Sequence, residues 1–211
     1  MKKIGTKGLI LLAILGAWAL LLRLLNFPIL PTAPFLKMDL SDLMVLMGML
    51  TFGPKGLAVV AFIRDCTQYL IQGGEAGIPI GAFMSFVASL AMFLPGHYLL
   101  KYFKHWPAQI RYSFLSICLC LGLTLSMSLL NYYFALPIYI KILNFPISDL
   151  GDYILSFILP INLIKGIILG ACQYFMMNLV EPYLTGRGYL YYKYYPMKKG
   201  KAVETCIAQN M

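Results

Sequence analysis

Acidic residues are scarce in this 211-residue sequence: eight Asp and Glu stand against seventeen Lys and Arg, and charged residues of both signs make up 12% of the chain. A water-soluble domain carries about twice that charged share, so a free-standing globular protein is excluded. The two histidines, His97 and His105, have no carboxylate or cysteine at ligand spacing and read as interfacial structure. The five cysteines (Cys66, Cys118, Cys120, Cys172, Cys206) show no paired ligand spacing, so neither a metal centre nor a disulfide framework is expected. No Gly-x-x-x-x-Gly-Lys-Ser/Thr loop, His-Glu-x-x-His or Gly-x-Ser-x-Gly occurs. The chain therefore encodes neither nucleotide hydrolysis nor a familiar hydrolase site, and if it moves a solute uphill the energy comes from elsewhere. Ten-residue alternating strands are absent too, which excludes a membrane barrel.

What the chain has instead is apolar surface: 60% hydrophobic residues and a mean hydropathy of +0.76. Lipid offers the backbone no hydrogen-bond partners, so each long apolar run must satisfy its own, as a helix. Runs at 7–25, 40–52, 55–72, 78–100, 112–136 and 153–180 predict an all-α integral membrane bundle of six transmembrane helices. The first run continues through Leu20 to Leu25, past the small residues Ala17-Trp18-Ala19, and reads as a retained helix rather than a cleaved leader.

The net charge of +9 is not spread as a nucleic-acid surface would need. Lys2, Lys3, Lys7, Lys55, Lys101, Lys104, Arg111, Arg187, Lys193, Lys198, Lys199 and Lys201, twelve of the seventeen, fall on one side of the predicted bundle, and only Lys37 and Lys141 on the other. The basic side is the cytoplasmic one, which puts the N- and C-termini inside. Residues 1–181 form the membrane domain and 182–211 a basic cytoplasmic tail against anionic headgroups of the lipid bilayer, with no nucleic-acid partner.

The stretch Asn26 to Asp42 holds three prolines yet is too apolar for a solvated loop, and it is expected to pack over the outer mouth of the bundle, as connector or lid. Ser41 or Asp39 is placed to cap the second helix. That helix, about 20 Å long, is too short to cross alone.

Polar residues inside a membrane bundle are costly, so each poses a functional question. Asn162 and Lys165 stand three apart on one face of the last helix, and Asn131 lies near the outer end of the fifth. Two amides and an amine suit a neutral ligand with a carbonyl–NH–carbonyl edge; interhelical bonding is the competing structural role. Arg64 and Asp65 adjoin on the third helix, about 100° apart, so they are not expected to pair with each other, and Arg64 reads as needing a structural or interhelical partner, with a ligand role as the alternative. Small residues four apart (Ala13 and Ala17 around Gly16, and Gly166 with Gly170) allow close helix approach, and on spacing alone read as packing within the bundle.

Pro34-Phe35-Leu36-Lys37-Met38-Asp39-Leu40-Ser41-Asp42, Phe52-Gly53-Pro54, Gly77-Ile78-Pro79-Ile80-Gly81, Asn131-Tyr132-Tyr133 and Asn162-Leu163-Ile164-Lys165-Gly166 together resemble the S components of energy-coupling factor transporters, in particular the riboflavin-specific type. The resemblance runs from the first helix to about Glu181. It implies a non-catalytic six-helix protein of the bacterial cell membrane that binds riboflavin, with flavin mononucleotide as a second candidate, from outside. Transport would then require a transmembrane coupling subunit and two ATPases. It further implies that Asn131, Asn162 and Lys165 hold the flavin ring, that Lys37, Met38 and Asp39 contribute from the first outer loop, and that Ala13 and Ala17 dock the coupling subunit. The rival readings are an S component for another vitamin, or an intramembrane enzyme needing His97, Asp65 and Ser85 to converge, which their spacing does not support.

Overall fold

The computed structural model describes residues 5–28, 37–74, 77–143, 149–191 and 194. They form six helical rods: α1 (Thr6–Leu24), α2 (Ser41–Phe52), α3 (Pro54–Gln72), α4 (Ile80–Tyr102), α5 (Ala108–Leu130 continuing to Leu143) and α6 (starting at Leu150 and ending at Gly186). A two-residue antiparallel pairing of Phe27–Pro28 with Lys37–Met38 draws together the stems of the loop between α1 and α2. Ile29, Leu30, Phe35 and Leu36, expected over the mouth, lie outside the described residues, as do the side chains of Lys37 and Met38 and the tail residues Lys193, Lys198, Lys199 and Lys201. Among the described residues, Thr6–Leu24, Ile80–Tyr102, Ala108–Ile142 and Leu150–Gly186 are long and apolar enough to cross a membrane. The α2 helix has 12 residues, about 18 Å. Lys55, Arg64 and Asp65 make α3 more polar than those four.

The expected ends of the fifth and sixth spans are corrected. The fifth span, expected to end at 136 before Pro137, runs through that proline to Leu143, and the sixth, expected over 153–180 with Pro160 inside it, runs from Leu150 to Gly186. Each proline follows two residues after a five-residue π segment, Asn131–Ala135 in α5 and Ile154–Ile158 in α6. A proline cannot donate to the carbonyl four residues back, and the wider π turn absorbs that lost bond instead of ending the helix. The two π segments face each other. At the start of α6, Asp149 Oδ1 accepts from the amides of Gly151 (2.7 Å) and Asp152 (3.2 Å).

The apolar core runs along the bundle axis through Leu12, Leu46, Met49, Val60, Phe93, Leu115 and Leu119, while Leu9, Ile14, Leu121, Leu125, Ile167 and Phe175 project outward, as lipid-facing residues must. Backbone proximity sets the closest contacts. A Cβ on Gly56 would stand 2.0 Å from the Gly48 carbonyl oxygen, so the α2–α3 hairpin closes only with glycine there. Its turn uses Gly53 at φ +70°. Gly166 and Gly170 of α6 pack against Cys120 and Ser116 of α5, which is packing inside the bundle.

The polar core is built around Arg64, which is fully buried. Its Nε and one Nη donate to the two oxygens of Asp65 at 3.0 and 3.1 Å, so the expectation that these neighbours do not pair is corrected. The Cβ atoms do diverge, but a guanidinium on a long stem folds back and offers its planar fork to the carboxylate. The other Nη donates to Asp42 Oδ1 (2.7 Å) and Ser41 Oγ (3.0 Å), and Ser85 and Ser89 of α4 each accept at 2.9 Å. Ser89 in turn donates to Asp42 Oδ1 at 2.9 Å. The N-terminus of α2, the middle of α3 and the first half of α4 are thus tied at one point.

At the opposite end of the bundle, Arg111 of α5 bonds Glu181 of α6 at 2.8 Å. Beyond α6 the chain turns back over the α2–α3 hairpin: the Tyr191 amide donates to the Leu50 carbonyl at 2.7 Å, and the buried Tyr194 hydroxyl lies 2.7 Å from His97 Nδ1. Burial and the nearby Tyr191 phenol push the Tyr194 hydroxyl well above the usual tyrosine range, so it stays protonated.

Arg64→Met removes the central guanidinium from the polar core and leaves the carboxylates of Asp42 and Asp65 buried without it. Breaking a buried pair in this way costs about 3–5 kcal/mol. The variant is expected to fail to accumulate or to unfold in detergent far below the parent; an unchanged unfolding midpoint would show that this cluster does not hold α2, α3 and α4 together.

Candidate functional site

The end of the bundle away from the N-terminus of α1 holds a cavity of about 490 Å³ to which all six helices contribute. That volume falls within the range of small-molecule sites. Its two sides differ in chemistry. From α1 to α3 and the loop stems come Arg23, Asn26, Asp39, Asp42, Gln68 and Gln72, a wall dense in donors and acceptors. From α4 to α6 come Met84, Met92, Leu123, Met127 and Tyr139, an apolar wall into which Asn131 and Lys165 are set.

Local structure explains how these groups reach the cavity. Asn131 opens the π segment of α5 and is buried, its Nδ2 donating to the Met127 carbonyl at 2.7 Å. The wide turn and the side-chain bond together fix the amide. Lys165 stands on the first long α-helical stretch of α6, close enough to Asp42 for its charge to act on that carboxylate. The N-cap position of α2 is Leu40, not Ser41 or Asp39 as expected, but Asp39 just before it accepts from the Ser41 amide at 2.9 Å and from the Ser41 hydroxyl and so satisfies the first amide of the helix. Asp39, Asn131 and Lys165, proposed from sequence, are therefore brought together on one cavity. Asn162, their fourth companion, is buried beside it: its Nδ2 bonds the Ile158 carbonyl of its own helix at 2.8 Å, and it is not among the cavity-lining residues.

Several lining residues were not singled out in sequence. Arg23, in the last turn of α1, bonds Gln68 through Nε and Ser85 through Nη1 (2.6 Å), and lies 3.6 Å from Asp65. Asn26 donates to the Arg23 carbonyl at 2.6 Å. Asp42, Gln68 and Ser85 complete this wall. The one sequence signal for it is the pair Ser85 and Ser89, four apart on an otherwise apolar helix and so on one face. His97, by contrast, lies at the other end of the bundle with Tyr194, away from Asp65 and Ser85, so the three residues of the enzyme reading do not converge.

The Ala13 and Ala17 side chains are exposed on α1, with Leu9, Ile10, Ile14 and Trp18 around them, while Gly16 between them is buried against Ile63 of α3. The two small-residue patterns therefore differ: that of α6 is consumed by packing on α5, and that of α1 faces outward.

Comparison with known proteins places this architecture. The family described as the ECF transporter, substrate-specific component, matches residues 7–177. The riboflavin transporter FmnP of Bacillus subtilis (strain 168) is 34% identical over 184 residues, covering 84% of this chain and 94% of that protein. The riboflavin transporter RibU of Streptococcus thermophilus (strain ATCC BAA-250 / LMG 18311) is 37% identical over 168 residues, 78% of each chain. A solved structure described under the words "Structure and mechanism of the S component of a bacterial ECF transporter" superposes with a TM-score of 0.66 at 29% identity, covering 83% of this chain and 96% of that one. With the family matched across nearly the whole bundle, this chain belongs to the substrate-specific components of ECF transporters, and it is a multi-pass membrane transport protein rather than an enzyme.

Proposed function

We propose that this chain is the high-affinity riboflavin-binding component of an ECF-type importer in the bacterial plasma membrane. In this reading the vitamin enters from outside and is released inward only with a transmembrane coupling subunit and two ATPases. The observation that carries it is the cavity in which Asn131 and Lys165 stand on an apolar wall, in a chain whose relatives bear the name riboflavin transporter. A flavin ring is flat and apolar except for a carbonyl–NH–carbonyl edge. Lys165 can donate to a ring carbonyl. With its Nδ2 held by Met127, Asn131 keeps its Oδ1 oxygen to accept the ring N–H. Asn162, bonded within its own helix, would reach the ring by exchanging that bond for one to the ligand. Flavin mononucleotide shares the ring and is a second candidate ligand.

Orientation follows from charge. Lys7, Lys55, Lys101, Lys104, Arg111 and Arg187 lie at the end of the bundle opposite the cavity. By the positive-inside rule that end, with both termini, is cytoplasmic, and the cavity opens outward. The coupling subunit would dock on the exposed Ala13–Ala17 face of α1, where small side chains permit the close helix contact that association in lipid depends on.

Two experiments test the reading. Lys165→Met removes a charge-assisted bond of about 1.5–3 kcal/mol, so riboflavin affinity is expected to fall about 10- to 150-fold in a fluorescence titration of the folded protein. Parent-like affinity would remove Lys165 from the site. Replacing Ala13 and Ala17 with valine is expected to leave binding intact and abolish uptake in cells that also contain the coupling subunit and ATPases. Survival of both activities would show that this face is not the docking surface, and joint loss would make it part of the bundle's own packing.

A further inference from the structure

We infer that Arg23 is a ligand-contacting residue that reads the hydroxylated chain of the bound flavin, an inference that rests on the riboflavin reading above. Two guanidiniums meet the same polar cluster, and the structure treats them differently. All three nitrogens of Arg64 are taken by Asp42, Asp65, Ser41, Ser85 and Ser89, and its side chain is 0% exposed and absent from the cavity lining. Arg23 lines the cavity with 14% of its side chain exposed. Its Nε is held by Gln68 and its Nη1 by Ser85, while Nη1 to Asp65, at 3.6 Å, is an ion pair beyond hydrogen-bond length. Among the described residues Nη2 has no hydrogen-bond partner, so the fork is oriented by two neighbours and keeps one nitrogen for something else.

The surroundings say what that is. Beside Arg23 on the cavity wall stand Asn26, Asp39, Gln68 and Gln72, short of apolar area and supplied with both donors and acceptors. A hydroxyl both donates and accepts, so a polyol chain matches such a wall where a flat ring does not. The ring would take the opposite wall of Met127, Leu123 and Tyr139 near Asn131 and Lys165. The cavity thus sorts the two halves of one molecule, ring to α4–α6 and chain to α1–α3. Because Arg23 sits in the last turn of α1, it also puts a ligand contact on the helix that carries Ala13 and Ala17.

The test compares riboflavin with lumiflavin, which has the same ring and a methyl group in place of the ribityl chain. Both are titrated by fluorescence against the full-length parent, Arg23→Met and Arg23→Lys. Arg23→Met leaves Asp65 on its two bonds from Arg64. It is expected to lose about ten- to a hundredfold in riboflavin affinity while lumiflavin affinity stays within about twofold. Arg23→Lys keeps the charge without the fork and is expected to narrow the riboflavin-over-lumiflavin preference about threefold or more, which decides the matter even if the methionine variant fails to fold. Equal losses for the two flavins would make Arg23 a structural support alone and overturn the inference, as would no loss for either. A parent that binds riboflavin alongside either result leaves the riboflavin reading standing; a parent that binds neither flavin overturns both.

Discussion

A buried guanidinium that must be fully satisfied is the constraint on which this structure depends. Arg64 lies in an apolar bundle where an unpaired charge is intolerable, and it is met by two carboxylates and three hydroxyls from three helices. That requirement fixes where α2 begins, since Ser41 and Asp42 are its first two residues and both bond Arg64. It also explains how a helix of only 12 residues holds its place in a bundle with much longer neighbours: one end is tied by charge and the other by the tight Gly48–Gly56 approach. The same tie forms one wall of the cavity.

The cavity inherits its polarity from that cluster. Asp42, Ser85 and Arg23 belong both to the tie and to the lining, so one wall is polar because the fold needs it to be. The other wall is made by α5 and α6 near their facing π segments, whose widened turns carry Asn131 into the site. In the proposed reading, the apolar ring and the hydroxylated chain of one ligand are matched to the two walls. The α1 helix carries both Arg23 at the cavity and the exposed Ala13–Ala17 face, so in the proposed reading binding and docking share one element.

The helices were legible in the sequence because lipid leaves apolar runs no other way to satisfy their backbone, and the first four spans needed only small boundary shifts. The fifth was read too short because proline is a reliable stop in water-soluble helices, whereas here a π turn absorbs Pro137; the sixth, read with Pro160 inside it, extends a few residues beyond both expected ends. Asn131, Lys165 and Asp39 were legible as cavity residues, the first two because polar groups stand out on apolar helices. The Arg64–Asp65 pair was misread because helical spacing tracks Cβ directions and ignores how far an arginine can fold back. Arg23 and Gln68 were not legible as cavity residues, and Ser85 only through its spacing with Ser89, since their convergence depends on how α1, α3 and α4 cross.

The central claim, that this cavity takes a flavin, is tested most directly by the absorbance of the purified protein. Membranes from cells grown with riboflavin, solubilised and purified without added ligand, are expected to yield a yellow protein with one flavin released per chain on denaturation. Added riboflavin should have its fluorescence quenched at the same stoichiometry once the site is emptied. A colourless, folded protein that leaves riboflavin fluorescence unchanged would contradict the account.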